Sequence, residues 1–128
     1  MKEVLLFGAG YYGVRALRIA QKYSDIRVLG YIDSNKKGGE IEGYRIYSLN
    51  QLNMFNKETP IVITMANGME ILDILQKLRG MGFENIFSYL DKTYSKASDF
   101  FEAVCINLHR ATEDMIYSVE THLVDYCN

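Results

Sequence analysis

The sequence predicts an α/β fold: a mostly parallel sheet of about four to five strands flanked by helices, followed by a C-terminal amphipathic helix. Three observations carry that prediction. Short apolar, β-branched runs alternate with stretches of helical spacing from Met1 to Leu90. Those runs are apolar at nearly every position instead of every second one, which marks strands buried on both faces. From about Ser95 onward the pattern changes to one sustained helical period.

The elements follow in chain order. Val4–Phe7 is a short apolar run that ends in Gly-Ala-Gly and reads as the first strand. From Tyr11 to about Tyr23, Val14, Leu17, Ile19 and Ala20 recur among basic residues, a helical pattern. Arg27–Ile32 is the second strand and ends at Asp33, and Ser34–Gly43 is a polar, glycine-rich loop. Tyr44–Tyr47 reads as a short extended piece. Ser48-Leu-Asn-Gln51 has capping-box spacing, which starts a short helix running to about Met54. Pro60–Thr64 is the third buried run. Asn67 then caps a helix in which Ile71, Leu72, Leu75 and Leu78 repeat at helical spacing up to Gly80. Ile86–Leu90 is the fourth clear strand. Beyond it, Ser98 reads as an N-cap with Asp99 and Glu102 in the first turn. Phe101, Val104, Leu108, Ala111 and Met115, continued by Ile116, Val119 and Leu123, predict an amphipathic helix of roughly 28 residues, or two helices broken near Thr112. The domain reading is therefore an α/β body over residues 1–94 and a helical extension over 95–128.

Composition bounds the function. The chain has 128 residues, 48% of them apolar and 23% charged, with one proline. That excludes disorder and low-complexity repeats as the main state. A net charge of −2 gives no case for nucleic acid as a partner or for general membrane-surface binding. The charge is unevenly placed: residues 1–97 carry 13 basic against 10 acidic side chains, and residues 98–128 carry one against six. No apolar run reaches the length of about eighteen residues that spans a bilayer, so no membrane insertion is expected and the cytoplasm is the expected compartment. Cys105 and Cys127 are not a C-x-x-C pair. On one shared helix they stand roughly 33 Å apart, too far to bridge, so both read as free thiols.

Gly8-Ala-Gly10-Tyr11-Tyr12-Gly13 matches G-x-G-x-x-G. Alone the match is weak. Its setting strengthens it: an apolar strand precedes it, a helical pattern follows, and Asp33 stands 20 residues beyond Gly13 at the end of the next strand. Each position has a physical task. Gly8 permits the tight strand-to-helix turn, Gly10 lets a phosphate approach the backbone, and Gly13 lets the helix lie close to the strand. N–H groups and the dipole at a helix start favour a phosphate or pyrophosphate. Asp33 accepts from ribose hydroxyls and repels a 2′-phosphate, which favours NAD or another unphosphorylated ribose over NADP. The competing reading is that the glycines serve only the turn and Asp33 only caps the loop; nucleotide binding is the preferred one. With four clear strands, a mononucleotide or the nucleotide part of a sugar nucleotide fits as well as a dinucleotide.

Other residues stand further back. Asn67 follows the third strand at the same carboxyl edge, where it either reaches a ligand or caps its helix. Lys36 and Lys37 either contact phosphates or form a solvated pair. Tyr11 and Tyr12 either stack on a base or sugar or pack. His109 and His122 are 13 apart, off helical metal-ligand spacing, so no metal is assigned. No G-x-S-x-G, Walker loop or Tyr-x-x-x-Lys pair occurs: Tyr89 and Lys92 are three apart, Tyr94 and Lys96 two. The sequence holds a nucleotide cradle and no recognisable catalytic set.

Val4-Leu-Leu-Phe-Gly-Ala-Gly-Tyr-Tyr-Gly13, Val28-Leu-Gly-Tyr-Ile-Asp-Ser34 and Ile41-Glu-Gly-Tyr-Arg-Ile-Tyr-Ser-Leu49 resemble the Rossmann-like N-terminal domains of bacterial polysaccharide and sugar-nucleotide biosynthesis proteins. Such domains precede PglD-type sugar acetyltransferases, FkbM-type methyltransferases and nucleotide-sugar epimerase/dehydratase relatives. The resemblance covers about Lys2–Tyr94. It implies a Rossmann-like fold and sugar-nucleotide binding by Gly8, Gly10, Gly13, Asp33 and Ser34. No hexapeptide repeat or methyltransferase domain follows here. The expected function is therefore nucleotide or sugar-nucleotide binding linked to surface polysaccharide biosynthesis, without complete catalytic machinery. The alternatives are the NAD-binding domain of a sugar-nucleotide oxidoreductase or epimerase whose substrate domain is missing, and a helix-mediated interaction module with a vestigial site. A C-terminal helix of this length must bury its apolar side, so a homodimer or a partner protein is expected there.

Overall fold

The computed structural model describes residues 1–36, 38–65, 67–89, 100–101 and 105–108. Its element order is β1 (Lys2–Phe7), α1 (Tyr11–Ala20), β2 (Ile26–Ile32), β3 (Glu40–Ile41), β4 (Tyr44–Tyr47), a short 3-10 helix (Leu49–Met54), β5 (Ile61–Ile63), α2 (Gly68–Gly80), β6 (Ile86–Tyr89) and β7 (Cys105–Asn107).

One seven-stranded sheet runs in the order β3-β4-β2-β1-β5-β6-β7. The five inner strands are parallel, and each edge is closed by an antiparallel strand: β3 on β4 and β7 on β6. Buried apolar runs produce this arrangement. In β1, Leu5 and Phe7 join a cluster with Ile71, Leu75 and Leu78 of α2, while Val4 and Leu6 join a cluster with Ala16, Leu17 and Ala20 of α1. Successive side chains of a strand point to opposite faces, so α1 and α2 cover opposite faces of the sheet. This is the Rossmann-like layering. Chain order reverses between β1 and β5, so the crevice at their carboxyl ends is the topological switch point.

Two elements differ from the sequence reading. The loop over Ser34–Gly43 contains β3, whose Glu40 and Ile41 pair with Arg45 and Tyr44. Glu42 and Gly43 between them have φ of 52° and 86°, the doubly positive turn that suits a two-residue hairpin. The second difference falls in the C-terminal segment. Phe100 and Phe101 are helical, but Cys105–Asn107 forms β7, so a single helix does not run through from Ser98. The edge of β6 supplies the reason: Cys105 and Asn107 pair with Tyr89 and Phe87, and a paired edge outweighs helical spacing at Phe101, Val104 and Leu108. Cys105 thus lies in a strand, and the helical distance to Cys127 no longer applies. The expectations for Lys37, Lys92, Tyr94, Lys96, Ser98, Asp99, Glu102, Val104, His109, Ala111, Met115, Ile116, Val119, His122, Leu123 and Cys127 lie outside the described residues. Among the described residues, no helix is long and apolar enough to cross a membrane.

Candidate functional site

The loop between β1 and α1 crosses the carboxyl edge of the sheet beside the switch point. Its three glycines meet three different environments. Gly8 has φ +116°, and a Cβ there would lie 2.6 Å from Thr64 Oγ1. A Cβ on Gly13 would lie 2.1 Å from the Gly8 carbonyl oxygen and 3.1 Å from the Tyr31 ring. The Tyr31 hydroxyl donates to the Gly13 carbonyl at 3.1 Å, so the helix start rests directly on β2. Burial pushes that phenol up to about 12, which keeps it a proton donor. Gly10 is exposed, and a Cβ there would meet nothing within 4 Å. The first and third glycines therefore close the turn, and the middle one opens onto space in front of α1.

The two helix starts differ. At α2, Asn67 Oδ1 accepts from the Met69 and Glu70 N–H groups at 2.9 and 3.1 Å. Asn67 is a helix cap, and that oxygen is committed to it. At α1 the N-cap is Gly10, with no capping side chain and no acidic residue in the first turn. The N–H groups at the start of α1 are therefore taken by no capping side chain, which suits an anion, with the Asp33 carboxylate held at the Ala9 N–H just before them.

Asp33 follows β2 at the same edge, half-buried. Its Oδ2 accepts from the Ala9 N–H at 2.9 Å, which ties it to the glycine loop. Its Oδ1 accepts from the Asn35 and Lys36 N–H groups at 2.7 and 2.9 Å. Burial alone pushes this carboxyl up. The backbone N–H groups of Ala9, Lys36 and Asn35, with the Lys36 charge, outweigh burial and hold it below the usual carboxylate value of 3.8. Ser34 is exposed in the turn that follows, beside Lys36.

The two tyrosines separate. Tyr12 is half-buried and packs against the α1-side cluster, its ring 6.0 Å from Tyr89. Tyr11 is 68% exposed, and its hydroxyl accepts from Arg15 Nη1 at 2.9 Å. Tyr11 is the more exposed of the pair, with the Arg15 guanidinium over its ring at 5.5 Å from the centroid. Two residues at this edge were not singled out by the sequence reading. Thr64 is buried at the end of β5, and its hydroxyl lies within donating distance of the Phe7 and Gly8 carbonyls, at 2.9 and 3.0 Å. Met69 is 73% exposed in the first turn of α2. A β-branched hydroxyl ending an apolar run is the only hint the sequence offers for Thr64.

An open recess lined by Lys2, Glu3, Pro60, Asn85, Phe87 and Phe101 lies at the amino ends of β1, β5 and β6, opposite the glycine loop. This recess and the loop chemistry thus sit at different ends of the strands. The carboxyl edge is the better candidate, because the uncapped helix start, Gly10 and Asp33 converge there. Among the described residues, no group of three or more His, Cys, Asp or Glu side chains is placed to hold a metal ion.

No protein-family pattern and no curated protein matches this sequence. Solved structures do share its fold. UDP-D-quinovosamine 4-dehydrogenase from Vibrio fischeri aligns over 69% of this chain and 77% of its own, at TM-score 0.60 and 20% identity. RSP, a Rex-family repressor, aligns over 98% of this chain and 60% of its own, at TM-score 0.58 and 16% identity. RSP in complex with β-NADH aligns over 98% and 61%, at TM-score 0.56 and 17% identity. The fold is Rossmann-like. At these identities, the likeness speaks for the fold alone.

Proposed function

We propose that this chain binds a nucleotide with an unphosphorylated ribose, NAD or a nucleotide sugar, along the carboxyl edge of its sheet. The observation that carries the reading is the arrangement of the loop: Gly8 and Gly13 are closed in, Gly10 alone opens onto the uncapped start of α1, and Asp33 is tied to the same loop through Ala9. The residues present fit the group. Gly10, Tyr11, Tyr12 and Gly13 supply the backbone that would face a phosphate, Asp33 and Ser34 the polar groups beside a ribose, and Tyr11 an aromatic face. Asn67 borders the site as a cap that orients α2.

The setting we favour is bacterial surface polysaccharide biosynthesis in the cytoplasm. There the domain would hold the nucleotide of a substrate or cofactor while another chain or domain does the chemistry. The Vibrio fischeri neighbour, described as acting on a UDP-sugar, supports the sugar-nucleotide choice. The repressor neighbour, solved with β-NADH, supports the dinucleotide choice. So does the strand order: with β5 and β6 beyond the switch point, the sheet extends past a mononucleotide half. The C-terminal segment is proposed to mediate a homodimer or a partner contact.

Thermal-shift and calorimetric titrations with NAD, NADP, UDP, UDP-sugars and S-adenosylmethionine test the reading. Stabilisation by NAD or by UDP compounds, with none by NADP, is expected. No response to any of these nucleotides refutes it.

A further inference from the structure

The recess at the amino ends of β1, β5 and β6 has a chemistry of its own. Its volume is about 460 Å³, within the range of about 300–1,000 Å³ typical of small-molecule sites, and its lining combines aromatic rings with a few polar groups. The sheet backbone holds its walls. The Pro60 carbonyl accepts the Leu5 N–H at 3.0 Å, the Asn85 carbonyl accepts the Ile61 N–H at 2.9 Å, and Asn85 Nδ2 donates to the Glu58 carbonyl at 2.8 Å. Phe87 is flanked by Val62 of β5 and Asn107 of β7, and its ring centre lies 4.6 Å from that of Phe101. Both rings are half-buried. Lys2 Nζ stands 5.2 Å from the centre of the Phe101 ring, which keeps the ammonium at the recess wall. The two charges of the lining are not equivalent. Glu3 has the Arg27 guanidinium at 3.5 Å, whereas no carboxylate pairs with Lys2 among the described residues.

We infer that this recess is a second binding site, for a small aromatic acid with a single negative charge. The ring of the ligand packs against Phe87 and Phe101, in the offset or edge-on contact that aromatic pairs prefer, and its carboxylate meets Lys2 Nζ. The recess is open and Lys2 is exposed, so the carboxylate stays partly hydrated and the ion pair adds only modestly to the ring contact. Glu3 in the same lining disfavours a second negative charge, which separates this ligand class from nucleoside di- and triphosphates. From Lys2 to Phe7, next to the glycine loop, β1 advances five residue steps, about 17 Å at about 3.4 Å each. One small ligand therefore does not reach both ends of the strand. The site stands apart from the proposed function and is open whether or not the carboxyl edge holds a nucleotide.

The test is titration of the full chain with sodium benzoate, followed residue by residue through amide NMR shifts, with benzamide, cyclohexanecarboxylate and acetate in parallel. Benzoate is expected to bind saturably, on the order of millimolar because so small a ligand has few contacts, and to move the Lys2, Glu3, Phe87 and Phe101 signals. Benzamide lacks the charge and cyclohexanecarboxylate lacks the aromatic ring, so each is expected to bind about threefold more weakly or worse. Acetate should not saturate. Lys2→Gln is expected to bring benzoate down to the level of benzamide, and Lys2→Arg to retain it; Lys2 is exposed, so neither change threatens the fold. Absence of a saturable benzoate shift overturns the inference, as do shifts confined to Gly10–Gly13 and Asp33. Equal affinity for benzoate and benzamide, or full benzoate affinity in Lys2→Gln, overturns the role of the charge. Equal affinity for benzoate and cyclohexanecarboxylate overturns the aromatic class. The comparison of ligands uses the wild-type chain and needs neither a variant nor a bound nucleotide.

Discussion

Replacing Gly10 and Gly13 in turn separates the cradle from the turn. Gly10 sits at φ −98° and ψ −155°, extended backbone that any L-residue adopts, with nothing within 4 Å of a built Cβ. Gly10→Val gives up a tolerated N-cap for a poor one, at about 1 kcal/mol. It regains about 0.4–1 kcal/mol from a less flexible unfolded chain. The net change stays within about 1 kcal/mol, or about 4 °C in Tm. Gly13→Ala places a Cβ 2.1 Å from the Gly8 carbonyl oxygen, so backbone must move. Overpacking of that kind costs about 3 kcal/mol, offset by about 1 kcal/mol of helix propensity, which leaves about 2 kcal/mol and a Tm fall of about 8 °C. Nucleotide binding should respond in the opposite order. A valine side chain in front of α1 blocks charge-assisted hydrogen bonds, each of which contributes about 1.5–3 kcal/mol, so affinity falls at least about tenfold. Differential scanning fluorimetry reads the first effect, and calorimetry with NAD and UDP reads the second. A folded Gly10→Val chain that binds the nucleotide as the parent does refutes the cradle. A Gly10→Val chain that melts as low as Gly13→Ala refutes the contrast between open and closed glycines.

Acid titration should expose Asp33. Its carboxyl is held below 3.8 in the folded chain, so the unfolded chain binds the extra proton first. The stabilisation is fully present above the unfolded value and is lost as pH falls through the folded one; Asp33→Asn should flatten that part of a stability-against-pH curve. Asn67→Ala removes the cap on α2 and should cost about 1 kcal/mol, a Tm loss of about 4 °C, with little effect on nucleotide affinity. Thr64→Val removes a buried hydroxyl from the Phe7 and Gly8 carbonyls and should cost about 1–3 kcal/mol, whereas Thr64→Ser should recover most of it. A loss in the serine variant with none in the valine variant, followed by thermal melts, would show that the methyl group matters instead of the hydroxyl.

The parallel core and the glycine loop were legible because each rests on local, repeated signals. Val4–Phe7, Arg27–Ile32, Pro60–Thr64 and Ile86–Leu90 are mostly apolar, and each overlaps an inner strand. The Ser48 and Asn67 caps were legible for the same reason: Gln51 Oε1 accepts the Ser48 N–H at 2.9 Å, three residues away. Both edge strands were not. The β3 strand is two residues long, and only one of its two turn residues is glycine, so its signal was half a hairpin motif. The β7 strand pairs with residues 16 to 20 positions earlier, and its flanks repeat at helical spacing, so only the open edge of β6 reveals it. The division of labour between Tyr11 and Tyr12 depends on where helix α1 meets the sheet. Adjacent helical residues point about 100° apart, and only the packing shows which one turns inward. The Ala9 N–H on Asp33 was likewise invisible, because it comes from a residue 24 positions away.

The direction of β7 has a consequence for how the molecule is wired. Because β7 runs against β6, the chain returns to the strand starts, where the Leu108 N–H donates to the Ile86 carbonyl at 2.7 Å. The last described residue, Leu108, therefore lies at the pole opposite Gly10 and Asp33. Anything joined directly after residue 108, whether a natural extension or an engineered fusion, sets out from the face remote from the ligand edge. The two poles can then diverge separately: substitutions that change what the chain is attached to need not pass through the glycine loop.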